Sequence, residues 1–247
     1  IYAAKVAKLY LTQCNDDDVK NLEREVNIIS RLNHPSILKF IGYNNKNFKG
    51  KPKPTIITEL VTNGSLEDIL ELERKCLGNP EWDDTKRLIN IYGIASAMAY
   101  LHSHDILHRD LKPANIILDD YLFPKISDFG LSKSLLENAV DIKLLSGFKG
   151  TYAYSAPEVF KGIYTKAGDV YAFGVIVYEI MTSDVPYVDI NQYQLLFQVP
   201  NGLRPKFKFE IPKCYQNLIE NCWDNDPEKR PTFDEIVNLL KTDQEFI

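Results

Sequence analysis

The sequence is poor in cysteine, in methionine and in long apolar runs, and it carries no excess of positive charge. Its 4 cysteines, Cys14, Cys76, Cys214 and Cys222, stand far apart and form no C-x-x-C pair. That spacing excludes a paired-cysteine metal or redox motif and reads as reduced, structural thiols of a cytoplasmic protein. Lys and Arg number 29 against 34 Asp and Glu, a formal net charge of −5. Such a balance lacks the basic footprint of a nucleic-acid binder, so no nucleic-acid partner is expected. The longest apolar helix pattern, Val170 to Met181, is too short for a bilayer and contains Glu179, so no membrane insertion is expected. No leader pattern opens the sequence, and no repeat or low-complexity tract interrupts it.

What is present is an ordinary globular composition, 45% hydrophobic and 26% charged over 247 residues, enough for a sizeable core in one domain or two lobes. The informative stretch is Ile106 to Gly130. It sets Asp110, Lys112, Asn115 and Asp128 inside largely apolar sequence. Burying such groups unpaired is expensive, so they need a task. A phosphate-transfer site supplies one, because one carboxylate can orient a nucleophile while a second carboxylate and an amide hold metal against polyphosphate.

Taken in order, Ile1 to Leu11 reads as a strand carrying Lys5. Asn15 to Asp18 reads as an acidic helix start, and Val19 to Leu32 as the helix. Leu22, Val26 and Ile29 mark its core face, and Glu25 lies on the same face. A carboxylate there either pairs with a cation, for which Lys5 is available, or reaches solvent at the stripe's edge. Ile37 to Tyr43 and Thr55 to Val61 read as a hairpin with a long loop, and composition turns helical after Val61 to Gly64. Helices are expected at Leu66 to Leu77, Asp83 to Ser103, Val170 to Met181, Ile190 to Gln198, Tyr215 to Trp223 and Phe233 to Lys241. Short strands are expected near Ile116 to Leu118 and Lys125 to Ser127. Ser132 to Lys149 has no clear period.

His108 to Asn115 (HRDLKPAN), Asp128 to Gly130 (DFG) and Ala156 to Glu158 (APE) occur in the order and spacing of eukaryotic protein kinases, which this chain resembles from Ala3 to Thr232. Each tripeptide alone is weak; three in order, with Lys5 and Glu25 upstream, are specific. Taken singly, the Asp and Asn residues would read as turn or cap residues. Cys222 to Phe233 (CWDNDPEKRPTF) and Asp169 to Gly174 (DVYAFG) look most like the tyrosine-kinase-like group. The resemblance implies an α+β, two-lobed kinase fold, with a small strand-rich N-lobe over residues 1–61 and a larger, mainly helical C-lobe over 62–247. It places the first two strands and the glycine-rich loop ahead of Ile1, so a truncated N-lobe is expected.

The same resemblance implies ATP and Mg²⁺ as cofactors and protein serine or threonine hydroxyls as substrates, with the oligomeric state left open. Asp110 corresponds to the catalytic aspartate, Asn115 and Asp128 to the metal ligands, Lys5 to the lysine on the α/β-phosphates, and Glu25 to its partner. Lys112 and Thr151 match the pair that marks serine/threonine kinases. Thr58 aligns with the gatekeeper, with Glu59 and Val61 holding adenine through main-chain atoms, so their side chains are expected to matter little. Ala3 and Ile117 would wall the adenine pocket. Asp68 is either a ribose contact or an exposed helix acid. Ile29, Phe40, His108 and Phe129 are expected to stack between the lobes, anchored by Asp169, and Glu158 to pair with Arg230. Arg109 goes with control by a phosphorylated activation segment, Ser146 being the best-placed acceptor and Ser132 and Ser134 the next; a constitutively ordered segment is the alternative. Tyr171 and Ser155 replace the more usual tryptophan and methionine. A second reading is a pseudokinase or scaffold that binds partners without phosphotransfer, against which the intact Lys5, Glu25, Asp110, Asn115 and Asp128 argue.

Overall fold

A computed structural model describes residues 1–7, 16–134 and 151–246, without the side chains of 16–21, 133 and 134. Residues 8–15, which hold the end of the expected first strand and Cys14, lie outside the described residues. So do Ser146 and most of the aperiodic Ser132 to Lys149 stretch.

Strand β1 (Tyr2–Val6) pairs antiparallel with β3 (Thr55–Glu59), which pairs in turn with β2 (Phe40–Asn44), giving the order β1-β3-β2. Lys5 stands opposite Ile56, and Ala3 opposite Thr58, so the lysine strand and the expected adenine wall share one register. Helix α1 (Asp16–Ile29) packs against the turn Phe129–Leu131, and Ile28 and Ile29 are buried. It starts and stops earlier than the sequence suggests. Ser30 and Arg31 close it through short turns onto Val26 and Ile28.

Two expected elements change in an instructive way. The strand proposed from Ile37 begins only at Phe40, because Ile37 bridges Ile126 and the Leu38 amide donates to the Ile126 carbonyl at 2.9 Å. Those residues leave the small sheet to join the neighbouring hairpin. Helix α2 (Leu66–Arg74) ends before Leu77 because Cys76 adopts φ +57. The Leu77 amide donates to Leu72 and the Cys76 amide to Glu73, the helix-ending pattern usually carried by glycine.

Helix α3 (Asp84–Ser103) is capped by Asp83 and buries Ile91, Ile94, Ala95, Met98 and Leu101, the face its period predicts. Short ladders follow, β4 (Ile106–Leu107) with β7 (Lys133–Ser134) and β5 (Ile116–Leu118) with β6 (Pro124–Ile126). Helix α4 (Lys166–Thr182) is buried from Asp169 through Ile180. Of the helices that follow, α6 (Lys213–Cys222) packs on α4, α7 (Phe233–Thr242) mainly on α3, and α5 (Gln192–Gln198) against the turn Tyr152–Tyr154. At Gly174 a Cβ would stand 2.7 Å from the Cys222 Cβ, so the α4–α6 contact requires glycine there. The result is a small strand-rich lobe on a larger helical one. The link between them is stitched down: the Thr62 hydroxyl donates to Asp120 at 2.8 Å, and the Leu118 amide to the Gly64 carbonyl at 2.9 Å. Among the described residues no helix is long and apolar enough to cross a membrane.

Candidate active site

A cleft of about 430 Å³ opens between the small sheet, α1 and the β5–β6 hairpin. Ala3 and Ile117 supply apolar wall and Thr58 the back, while Lys5, Glu25, Asn115 and Asp128 crowd one end. Lys5 Nζ sits 2.9 Å from Glu25 Oε1 and 3.0 Å from Asp128 Oδ1, bridging strand, helix and the DFG turn. Partial burial works against the Lys5 charge, but the two carboxylates win and hold its pKa above the ordinary value. Burial likewise disfavours ionised Asp128, and the Lys5 cation outweighs it, so that carboxyl lies below its usual range. Glu25 is therefore paired, and the alternative of a solvent-seeking edge acid falls away.

Asp128 holds φ +59, uncommon outside glycine, in the sharp turn that leads into Phe129. Phe129 is buried and meets the His108 ring edge-on at 5.4 Å; Ile29 joins the same core and Phe40 packs against it. Asp169, reaching from α4, accepts the His108 and Arg109 amides at 2.9 Å each and contacts His102 Nε2 at 2.9 Å. Burial opposes its charge, yet these donors hold its pKa below the carboxylate norm. The His108–Phe129 contact and its Asp169 anchor are thus in place, with Ile29 and Phe40 in or against the same hydrophobic core. Tyr171 occupies the tryptophan position fully buried, between the Arg204 and Arg230 guanidinium groups at 5.1 and 5.2 Å from its ring.

Beside the cleft, Lys112 Nζ lies 2.9 Å from Asp110 Oδ2 and 3.0 Å from Thr151 Oγ1. The Thr151 hydroxyl donates to Asp110 Oδ1 at 3.4 Å. Asn115 spends its amide group on Asp110, donating to the backbone oxygen at 2.7 Å and to Oδ2 at 3.1 Å. That leaves Asn115 Oδ1 without a protein donor among the described residues. With the half-exposed Asp128 carboxylate it forms a hard-oxygen pair facing the cleft. Among the described residues no three or more His, Cys, Asp or Glu converge to hold a metal alone. Two oxygen ligands completed by phosphate and water suit Mg²⁺.

Not every expected residue reaches the cleft. Val61 and Glu59 do not line it, and the Glu59 side chain contradicts the expectation that its identity matters little. Its Oε1 accepts the Lys39 amide at 2.9 Å and the Lys125 ammonium at 3.1 Å, joining the end of β3 to β6. Asp68 is exposed and closes a capping box with Ser65, whose backbone and hydroxyl donors lower its pKa. Sequence reasoning missed Tyr164, whose ring lies 3.9 Å beneath the Arg109 guanidinium carbon. Its only signal was an aromatic residue between APE and α4.

A family model described as protein tyrosine and serine/threonine kinase matches residues 3–240. The chain belongs to that family. Similar proteins include a probable LIM domain-containing serine/threonine-protein kinase of Dictyostelium discoideum, 36% identical over 95% of this chain and 35% of the relative. The probable serine/threonine-protein kinase drkC of the same organism is 36% identical over 98% of this chain and 31% of its own length. Serine/threonine-protein kinase STY17 of Arabidopsis thaliana is 31% identical over 92% and 38%. The kinase chain thus spans well under half the length of these curated relatives.

Proposed function

We propose that this kinase domain transfers the γ-phosphate of ATP to serine or threonine hydroxyls of protein substrates in signalling, with lobes 1–61 and 62–247 closing on the nucleotide. The observation that carries the reading is the Lys112 ammonium held between Asp110 and Thr151. Asp110 orients the acceptor hydroxyl and takes its proton; Asn115 and Thr151 fix the carboxylate, and Lys112 balances its charge near the entering phosphate. Lys5, positioned by Glu25, holds the α/β-phosphates. Asn115 and Asp128 would hold Mg²⁺, which supplies charge neutralisation along the polyphosphate. Ala3, Thr58 and Ile117 would receive adenine, with the Glu59 and Val61 main chain meeting only its outer edge, beyond the cleft's lining, and Asp68 would meet ribose only through the oxygen Ser65 leaves free.

Phosphoamino-acid analysis of a substrate labelled by the full-length protein tests this. Phosphoserine and phosphothreonine are expected; phosphotyrosine alone, or no label, overturns it.

A further inference from the structure

A second groove, of about 240 Å³, opens on the large lobe between the loop after α4 and the irregular strap after α5. It shares no residue with the nucleotide cleft. Its rim exposes Val185 and Val188, 44% and 62% accessible, and Phe209 on the strap is 70% accessible. Apolar surface gathered this way marks an interaction site more often than isolated exposed residues do. The loop is not loosely shaped. Ser183 and Tyr187 both hold positive φ, and the Tyr187 hydroxyl is fastened near Tyr171 at 3.3 Å and the Leu203 carbonyl at 3.4 Å.

Along the strap, Pro205 is buried, Lys206 exposed, Phe207 half-buried against Tyr178 and Trp223, and Lys208 exposed. That alternation has the period of an extended chain. Among the described residues the Lys206 and Lys208 amides make no hydrogen bond, so the strap offers unused backbone donors. Lys206 forms no ion pair among the described residues, and Lys208 meets Asp184 at 3.0 Å. In a chain of net charge −5, Arg204, Lys206 and Lys208, the last shared with Asp184, give the strap side of the uncovered apolar groove an excess of positive charge. Asp189, on the loop side, is the acid that also lines it.

We propose that this groove docks a segment of a partner protein in which apolar side chains alternate with acidic ones. The apolar groups would cover Val185 and Val188, and the acids would face Lys206 and Lys208. A second copy fits less well, because a two-fold contact through this strap sets lysines against lysines. For phosphotransfer the consequence, which rests on the kinase reading, is that a substrate bearing such a segment is held on the large lobe that also carries Asp110. Binding itself does not depend on that reading.

The test is fluorescence anisotropy with a short labelled peptide alternating Glu with Leu and Val, against a copy with Gln for every Glu. Saturable binding is expected for the acidic peptide. It should weaken about tenfold or more in Lys206→Glu and in Val188→Asp, with melting temperatures unchanged because these side chains are exposed and Lys206 gives up no ion pair among the described residues. Equal binding of the Gln peptide, or equal affinity in the variants, overturns the proposal. So does a peptide-free dimer in sedimentation that Val188→Asp dissolves, which would assign the groove to a second copy. In a separate arm, fusing the acidic segment to a substrate should lower KM with kcat unchanged, and the charge-reversed variant should abolish that gain. No phosphate transfer to any substrate defeats the kinase reading and leaves the binding result standing.

Discussion

Glu158 and Arg230 form a two-pronged pair, with guanidinium nitrogens donating at 2.6 and 2.9 Å to the two carboxylate oxygens. The Arg230 side chain is fully buried and also donates to the Asp224 and Ala167 carbonyls. This ties the APE segment to the start of α4 and to the turn before α7. Removing one partner leaves the other buried and uncompensated, at a cost of about 3–5 kcal/mol. Arg230→Ala should therefore lower the urea midpoint steeply or abolish cooperative unfolding. An unchanged midpoint would break the assignment.

Asp169 predicts an acid-dependent stability. Its folded pKa is depressed, so near pH 4 the unfolded chain binds more protons than the folded one, and stability rises with pH there. The contribution is complete above the unfolded carboxyl pKa of about 3.9 and is lost as pH falls through the folded value. Asp169→Asn should be destabilised at pH 7, and its gap to the parent should narrow toward pH 3. Denaturant titrations at both pH values measure this; a gap that stays constant rules out the Asp169 account.

Glu59 predicts a structural rather than a chemical loss. In Glu59→Ala the Lys39 amide loses its acceptor and Lys125 its carboxylate, which should cost about 0.5–1.5 kcal/mol because water reaches the exposed amide. Hydrogen exchange at the Lys39 amide should speed up, and Glu59→Gln should restore protection there. No change in exchange would return Glu59 to a residue whose side chain is immaterial.

Thr151 is predicted to act through Asp110. Thr151→Val removes the hydroxyl that spans Asp110 and Lys112, and kcat should fall on the order of 10–100-fold with little change in KM for ATP. Thr151→Ser should recover most of the rate. An unaffected kcat in the valine variant would remove Thr151 from the site.

The sequence made the site legible because its residues sit in short motifs whose spacing is set by tight local structure. Within HRDLKPAN, Lys112 and Asn115 each contact Asp110, so those three meet through local structure, although Asp169 and Thr151 from distant segments also hold the loop. Helix period placed Glu25 on the face of Leu22 and Ile29 and left two outcomes, a cation partner or solvent; the 2.9 Å contact with Lys5 decides between them. What escaped the sequence depends on packing between distant segments. Ile37 is taken from its strand by Ile126, Glu59 turns toward Lys125, and Tyr164 lies under Arg109. Cys76 ends α2 in a conformation that glycine usually signals, and no glycine stands there. Alternation, propensity and spacing carry none of these relations.

The most direct test of the central claim is γ-phosphate transfer from labelled ATP to a protein substrate by the full-length protein and by Asp110→Asn. The account predicts that the isosteric change lowers kcat by about 100-fold or more, since the amide cannot accept the hydroxyl proton, while ATP still binds in the cleft beside Lys5. Label transfer at the parental rate by Asp110→Asn would contradict it.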